Sequence, residues 1–298
     1  MKSTRGFTLI ELVITITLTG IIFLAVSVFL NRPIKAYTDL YRRGDLTTIA
    51  DLAAIRMERD IRRAVPNSLR VKQSGNLIGV EFVNAVEGMR YRQGNPGGNN
   101  AILKFTSTDT DFNVLNNFQF ASLGNQNYRV VIYNTGNYSL NSDNPTPGQN
   151  LYSPSASPGP LPPASTHVIT TPSTSVVLSN GSTEAHVNLS PGFQFAFESP
   201  RQRVFFVDTP ISYVCNLNNG TLTRYWGYSI TQVQPIDGSV SPLSGAQSAL
   251  LANDVSACSF SYSAGSATRN GLLSVNLKIT RSGESANLFY QINVSNAP

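Results

Sequence analysis

Three hydrophobic patterns follow one another along the chain. Residues 7–30 are almost wholly apolar, with Glu11 as their only charge. At about 1.5 Å per residue, a helix of that length crosses a bilayer core of roughly 30 Å. Beyond Pro33 a helical period takes over. Ile34, Tyr37, Tyr41, Ile49, Leu52, Ile55 and Ile61 are spaced mostly by three or four, with Arg42, Arg43, Asp45, Asp51, Arg56, Arg59 and Arg63 mostly between them. Gly44 softens this half locally and Val65-Pro66-Asn67 ends it. Pro33 is the first proline, so a kink is expected where the helix leaves the membrane.

From Leu69 onward, runs with strand character alternate with turn residues. They cover residues 78–83, 102–105, 128–133, 175–178, 186–189, 193–197, 203–207, 212–215, 221–230, 259–262, 272–280 and 286–294. The pattern predicts an α+β protein: one long N-terminal helix, with a membrane half over 7–30 and an amphipathic half over 31–66, packed on a β-rich antiparallel head over 67–298. Two stretches interrupt the head. Residues 94–100 are Gly/Asn-rich, and residues 141–165, with seven prolines from Pro145 to Pro163, form a Pro/Ser-rich loop placed to divide the head into two β subdomains.

Charge changes the picture by its position. The first 70 residues hold 11 Lys/Arg against 6 Asp/Glu, whereas residues 71–298 hold 11 of each. The net +5 therefore belongs to the stalk, and the neutral head is not expected to bind nucleic acid independently of sequence. Only 13% of residues are charged, about half the usual share in soluble proteins, and the head is rich in Ser, Thr, Asn and Gly. That composition favours an exported β-rich protein over a cytosolic enzyme.

The start, Met1-Lys2-Ser3-Thr4-Arg5-Gly6, is a short basic leader without an Ala-x-Ala site, and it runs directly into Phe7-Thr8-Leu9-Ile10-Glu11. This segment resembles the class III signal of type IV pilins and pseudopilins. The resemblance implies that a prepilin peptidase cuts between Gly6 and Phe7 and that the new Phe7 amine is methylated, leaving a mature chain from residue 7. It implies further partners in the membrane, in other major and minor pilins, and in an inner-membrane assembly platform. The chain is then a single-pass inner-membrane protein with its head in the periplasm, and later part of a fibre or its tip at the cell surface.

Glu11 carries a physical argument of its own, because an ionised carboxylate within hydrocarbon is costly without a partner. The resemblance implies that the partner is the Phe7 amine of a neighbouring subunit; the alternative is a carboxylate resting at headgroup level. Thr8, Glu11, Thr15 and Thr19 fall within roughly an 80° stripe, with Thr17 opposite. Small polar residues on such a stripe suit subunit assembly, although a threonine hydroxyl also satisfies its own helix. The cluster from Arg56 to Arg63 reads either as a solvated, internally paired face or as a contact for acidic lipid or neighbouring subunits.

Cys215 and Cys258 are the only cysteines, and an even pair in an exported protein points to one disulfide rather than a metal site. Further segments narrow the resemblance: Met57 to Val71, Pro210 to Cys215, Thr221 to Tyr228, Val255 to Tyr262 and the ending Val294-Ser295-Asn296-Ala297-Pro298 look like the MshO family of minor pilins in MSHA-type pili. That family's head is β-rich and packs on the C-terminal half of the helix.

No catalytic motif accompanies these features: there is no phosphate loop, dinucleotide fingerprint, zincin motif or nucleophile elbow. No cofactor, metal or catalytic residue is expected. His167 and His186 lack an acid at ligand spacing, and Asp109, Asp111 and Asn113 begin like a calcium loop that Val114 and Phe120 break. Trp226, beside Arg224, Tyr225 and Tyr228, suits either a core position or a stacking surface for sugar or base. Three functions fit: a minor pilin that initiates or caps assembly and supports attachment, a tip adhesin for glycan, or a minor pseudopilin of a type II secretion system.

Overall fold

The computed structural model describes residues 6, 8–94, 101–119, 124–126, 128–135, 150–153, 167–265 and 269–296. Helix α1 (Leu9–Ile61) is one element of 53 residues, about 80 Å long, and it continues through both Pro33 and Gly44. It ends at Ile61, a few residues before Pro66, where Asn67 takes a positive φ of 58° to turn the chain into the head.

The head contains β1 (Arg70–Ser74), β2 (Leu77–Tyr91), β3 (Asp109–Leu115), β4 (Gly124–Gln126), β5 (Arg129–Val131), β6 (Ser175–Asn180) and β7 (Glu184–Phe193). They are followed by β8 (Arg203–Asn216), β9 (Thr221–Trp226), β10 (Gln247–Ala252), β11 (Val255–Ser263), β12 (Gly271–Arg281) and β13 (Glu284–Val294). Ten strands form one antiparallel sheet in the order β10-β9-β8-β2-β3-β7-β6-β4, with β1 on β2 and β5 on β8. β11, β12 and β13 form a second, three-stranded sheet. The fold is therefore α+β. Strands from both sides of the 141–165 stretch interleave in the large sheet, so this stretch does not separate two subdomains. Of it, residues 150–153 are described, and Leu151 and Tyr152 are buried in the head; the rest, like 95–100, lies outside the described residues.

Several strands depart from the sequence expectation for physical reasons. The runs 203–207 and 212–215 are one strand, because Asp208-Thr209-Pro210, which reads as a turn, is a bulge: Val83 faces Pro210 while Ala85 faces Val207. Residues 102–105 form no strand; the Lys104 N–H donates to Asp109 Oδ2 at 2.9 Å instead of to a ladder. Asp109, Asp111 and Asn113 lie on β3 rather than in a cation loop, with Phe112 and Val114 buried between and beside them. β9 stops at Trp226 because Gly227 turns with φ 76°, and β7 ends at Phe193, leaving Phe195 only an isolated bridge to His167.

The docked face of α1 also differs from the expected one. Leu46, Ala50, Ala53, Met57 and Ile61, at spacings of four, three, four and four, enter the main core with Phe82, Tyr213, Val275 and Leu277. Of the expected stripe, Ile61 is buried and Ile49 packs partly, while Tyr37, Tyr41 and Leu52 are 71%, 72% and 62% exposed. The small alanines let the helix approach β12 and β13 closely, which bulkier Leu52 and Ile55 would prevent. Cys215 on β8 and Cys258 on β11 form a disulfide that ties the two sheets together beside this core. Tyr225 and Trp226 point to opposite faces: Trp226 packs partly against the main core under the Arg224 guanidinium, 4.4 Å from its ring centroid, and Tyr225 against Val214 and Tyr228.

The two acids of the Arg56–Arg63 cluster, Glu58 and Asp60, serve this docking within the chain, while Arg56 and Arg62 pair with them along the helix and Arg59 and Arg63 are exposed. Asp60, 7% exposed, accepts from Arg224 Nε at 2.6 Å and from the Tyr213 hydroxyl at 2.7 Å. Burial, then the Asp60 carboxylate, pushes the Tyr213 phenol well up, so it stays a donor. Glu58 accepts from the Tyr290 hydroxyl on β13 and pairs with Arg62; Arg43 pairs with Glu284, and Arg281 bridges Asp45 at 2.9 Å and Asp254 at 2.7 Å.

Two predictions follow from these contacts. Closing a 43-residue separation, the disulfide should contribute about 4 kcal/mol through the unfolded chain. The Cys215→Ala/Cys258→Ala variant should therefore unfold at clearly lower urea, and an unchanged midpoint would contradict the role. Glu58 and Glu284 are held below their usual 4.5, chiefly by the Tyr290 and Arg43 hydrogen bonds respectively. Their contribution is complete above about pH 5 and is lost as pH falls through the lowered folded values. The melting-temperature gap between the parent and Glu58→Gln/Glu284→Gln should be constant at neutral pH and narrow as pH falls below the ordinary carboxylate value of 4.5 and through the lowered folded values.

Candidate assembly site on the N-terminal helix

The site is the part of α1 that the head leaves bare. Arg43 and Asp45 pair with Glu284 and Arg281 of the head and Leu46 is the first residue on α1 to enter its core, so residues 9–42 project about 50 Å from the head. Leu9–Ser27 is long and apolar enough to cross a membrane, and none of it is buried within the chain. Leucine, isoleucine and valine fill this stretch. Burying them in lipid or against other helices is the outcome the hydrophobic effect favours.

The helix begins at Thr8, whose Oγ1 accepts the Glu11 N–H at 3.4 Å. Glu11 lies in the first turn, exposed, where the helix dipole favours a carboxylate, and it makes no ion pair with a described residue. Gly6 is exposed, with open space where a Cβ would be. Phe7 lies outside the described residues.

The threonine hydroxyls turn inward to their own helix. Thr15 donates to Leu12 O at 2.9 Å, Thr19 to Thr15 O at 2.6 Å, and Thr17 on the opposite face to Val13 O and Ile14 O at 3.0 and 2.9 Å. With the hydroxyls satisfied, the stripe presents methyl groups and small volume rather than free donors. Thr15 and Thr19 share a shallow groove with Ile16, Gly20 and Phe23, to one side of Thr8 and Glu11. The stripe reading missed Ile16, Gly20 and Phe23. Their signal was Gly20, four residues after Ile16 and one after Thr19, where a missing side chain leaves a dent on the helix surface.

The two histidines lie in the head. His186 on β7 sits 3.7 Å from Asp111 and 2.8 Å from Asn113, in a cross-strand polar cluster. His167 is lowered by burial, then by the Arg129 charge, so it is neutral near pH 7.

Residues 1–27 match the family model described as the prokaryotic N-terminal methylation motif. The match supports a type IV pilin-like or pseudopilin subunit, membrane-anchored before assembly. It implies processing by a prepilin peptidase and assembly with other pilins. No curated protein and no solved structure is significantly similar to the chain.

Coexpression with a prepilin peptidase should shorten the chain to begin at Phe7, read by intact mass and N-terminal sequencing. Gly6→Leu should leave the full-length species; a Gly6→Leu chain cut at the same bond would show that the exposed glycine is not the determinant.

Proposed function

We propose that this chain is a minor pilin of an MSHA-like type IV pilus: a non-catalytic subunit that helps to initiate or cap assembly after leader cleavage and supports surface attachment. The observation that carries the reading is the division of α1, in which the short stretch from Leu46 to Ile61 is buried against the head while residues 9–42 stay bare. Such a helix is unfinished as a monomer. In the membrane its apolar surface faces lipid; in a fibre it faces other helices.

Glu11 then acts as a register device. Cleavage after Gly6 creates an amine at Phe7, and a neighbouring subunit's amine neutralises Glu11 when the two helices dock in step. A buried charge left alone is costly, so mismatched registers are disfavoured. Thr8 fixes the start of the helix beside this pair, and Thr15 and Thr19 allow close approach. Because Glu11 is present, the subunit has the means to receive another subunit's amine. The exposed Tyr37, Leu40 and Tyr41 extend the contact surface toward the head.

Glu11→Ala should reduce copurification with other pilins at least tenfold, the size set by losing a charge-assisted contact. Melting of the head should be unchanged, since Glu11 touches none of it. Deleting the chain should abolish surface pili seen by electron microscopy, and blocking retraction should restore them. Loss of protein secretion with pili intact would instead assign the subunit to a type II secretion system.

A further inference from the structure

A polar cleft of about 690 Å3 opens on the head, far from the assembly helix, between Tyr128 and Arg129 at β5, the 172–175 turn, the β8 bulge and residues 227–230. Its size is within the usual range of small-molecule sites, roughly 300–1,000 Å3. Both walls are fixed by contacts that do not involve a ligand. On one side, the Thr170 N–H donates to Val130 O and the Val130 N–H donates to Thr170 Oγ1, each at 3.0 Å, and Thr171 Oγ1 lies 3.0 and 2.9 Å from the Ser173 and Thr174 hydroxyls. On the other, Tyr228 is locked by its hydroxyl, which donates to Glu81 at 2.9 Å, and Glu81 pairs with buried Arg70 at 2.5 Å.

The cleft's charge is incomplete. Arg129 is half-buried, its side-chain hydrogen bonds among the described residues go to Thr170 O through Nε and Nη2, and no described carboxylate forms an ion pair with it. Burial pulls its guanidinium down to about 10, as for a cation without a nearby counter-charge. Across the cleft, the bulge turns Asp208 outward. Asp208 Oδ1 accepts from Asn84 Nδ2 at 2.8 Å and the Thr209 N–H at 2.7 Å, while Oδ2 has no described donor. Ser229 Oγ is likewise without a described partner and is exposed.

The geometry points to this cleft as a binding site for a carboxylated sugar, with the sugar carboxylate on Arg129 and its hydroxyls on Asp208 and Ser229. A guanidinium with Nη1 free offers the planar donor edge that a carboxylate matches. A carboxylate opposite it accepts hydroxyls and repels a second anion, which selects a ligand with one acid group over a polyphosphate or nucleic acid. The site requires no assembly into a fibre, so its test is independent of the proposed pilus role.

The test is binding of glucuronate, galacturonate and N-acetylneuraminate to the full chain in detergent, by saturation-transfer NMR and calorimetry, with glucose and acetate as comparisons. At least one acid sugar should bind, about tenfold or more tighter than glucose and than acetate, the scale of one charge-assisted hydrogen-bonded contact. Arg129→Gln should remove that preference. Ser229→Trp, an exposed position whose side chain would fill the cleft, should abolish binding with melting unchanged, and it keeps the test decisive if Arg129→Gln disturbs the fold. Absence of binding by all three acids, equal binding of glucose or acetate, or undiminished binding by Ser229→Trp would each overturn the assignment.

Discussion

A single helix that must satisfy two environments is the constraint on which the rest of this structure depends. Its C-terminal turns present Leu46, Ala50, Ala53, Met57 and Ile61 to the head, and most of the rest is left to lipid or to other proteins. Small side chains on the docked face solve a geometric problem. They bring the helix axis near β12 and β13, so that Asp60 reaches Arg224 and Tyr213 and Glu58 reaches Tyr290. The polar contacts add orientation to an attraction that is mainly apolar burial. The large residues Tyr37, Tyr41 and Leu52 are then free to point elsewhere.

How much of this the sequence made legible depends on what each signal measured. The membrane helix was legible from length and apolarity alone, and strand β12 from the alternation around Val275, Leu277 and Ile279. The docked face was legible only at Ile61 and partly at Ile49, because a period drawn through isoleucines, tyrosines and Leu52 passes over the alanines at 50 and 53 that lie between Leu46 and Met57 on the buried face. β3 was hidden for the opposite reason: Asp109, Asp111 and Asn113 resemble a ligand loop, yet the burial of Phe112 and Val114 makes a strand. The bulge at Asp208 was hidden by a proline beside it, since Asp-Thr-Pro reads as a turn in any local scheme.

At the candidate assembly site the legible part was chemical and the hidden part was shape. Glu11 stands out because a charge in an apolar run is anomalous whatever the fold. The groove beside Thr15 and Thr19 depends on Gly20 and Phe23, which are unremarkable in a membrane helix until their positions are mapped in three dimensions. The cleft at Arg129 could not be read at all from sequence order, since its lining comes from segments as distant as 128 and 229.

The bond between Cys215 and Cys258 has a mechanical consequence. Tension applied between α1 and the C-terminal strands of such a head would tend to peel the small sheet away from the large one, extending the chain between them. The 43-residue separation corresponds to about 150 Å of extended polypeptide. With the ends of that segment joined covalently, the slack cannot be paid out. Force passes instead straight from β8 to β11, and the 43-residue segment between them adds no length under load.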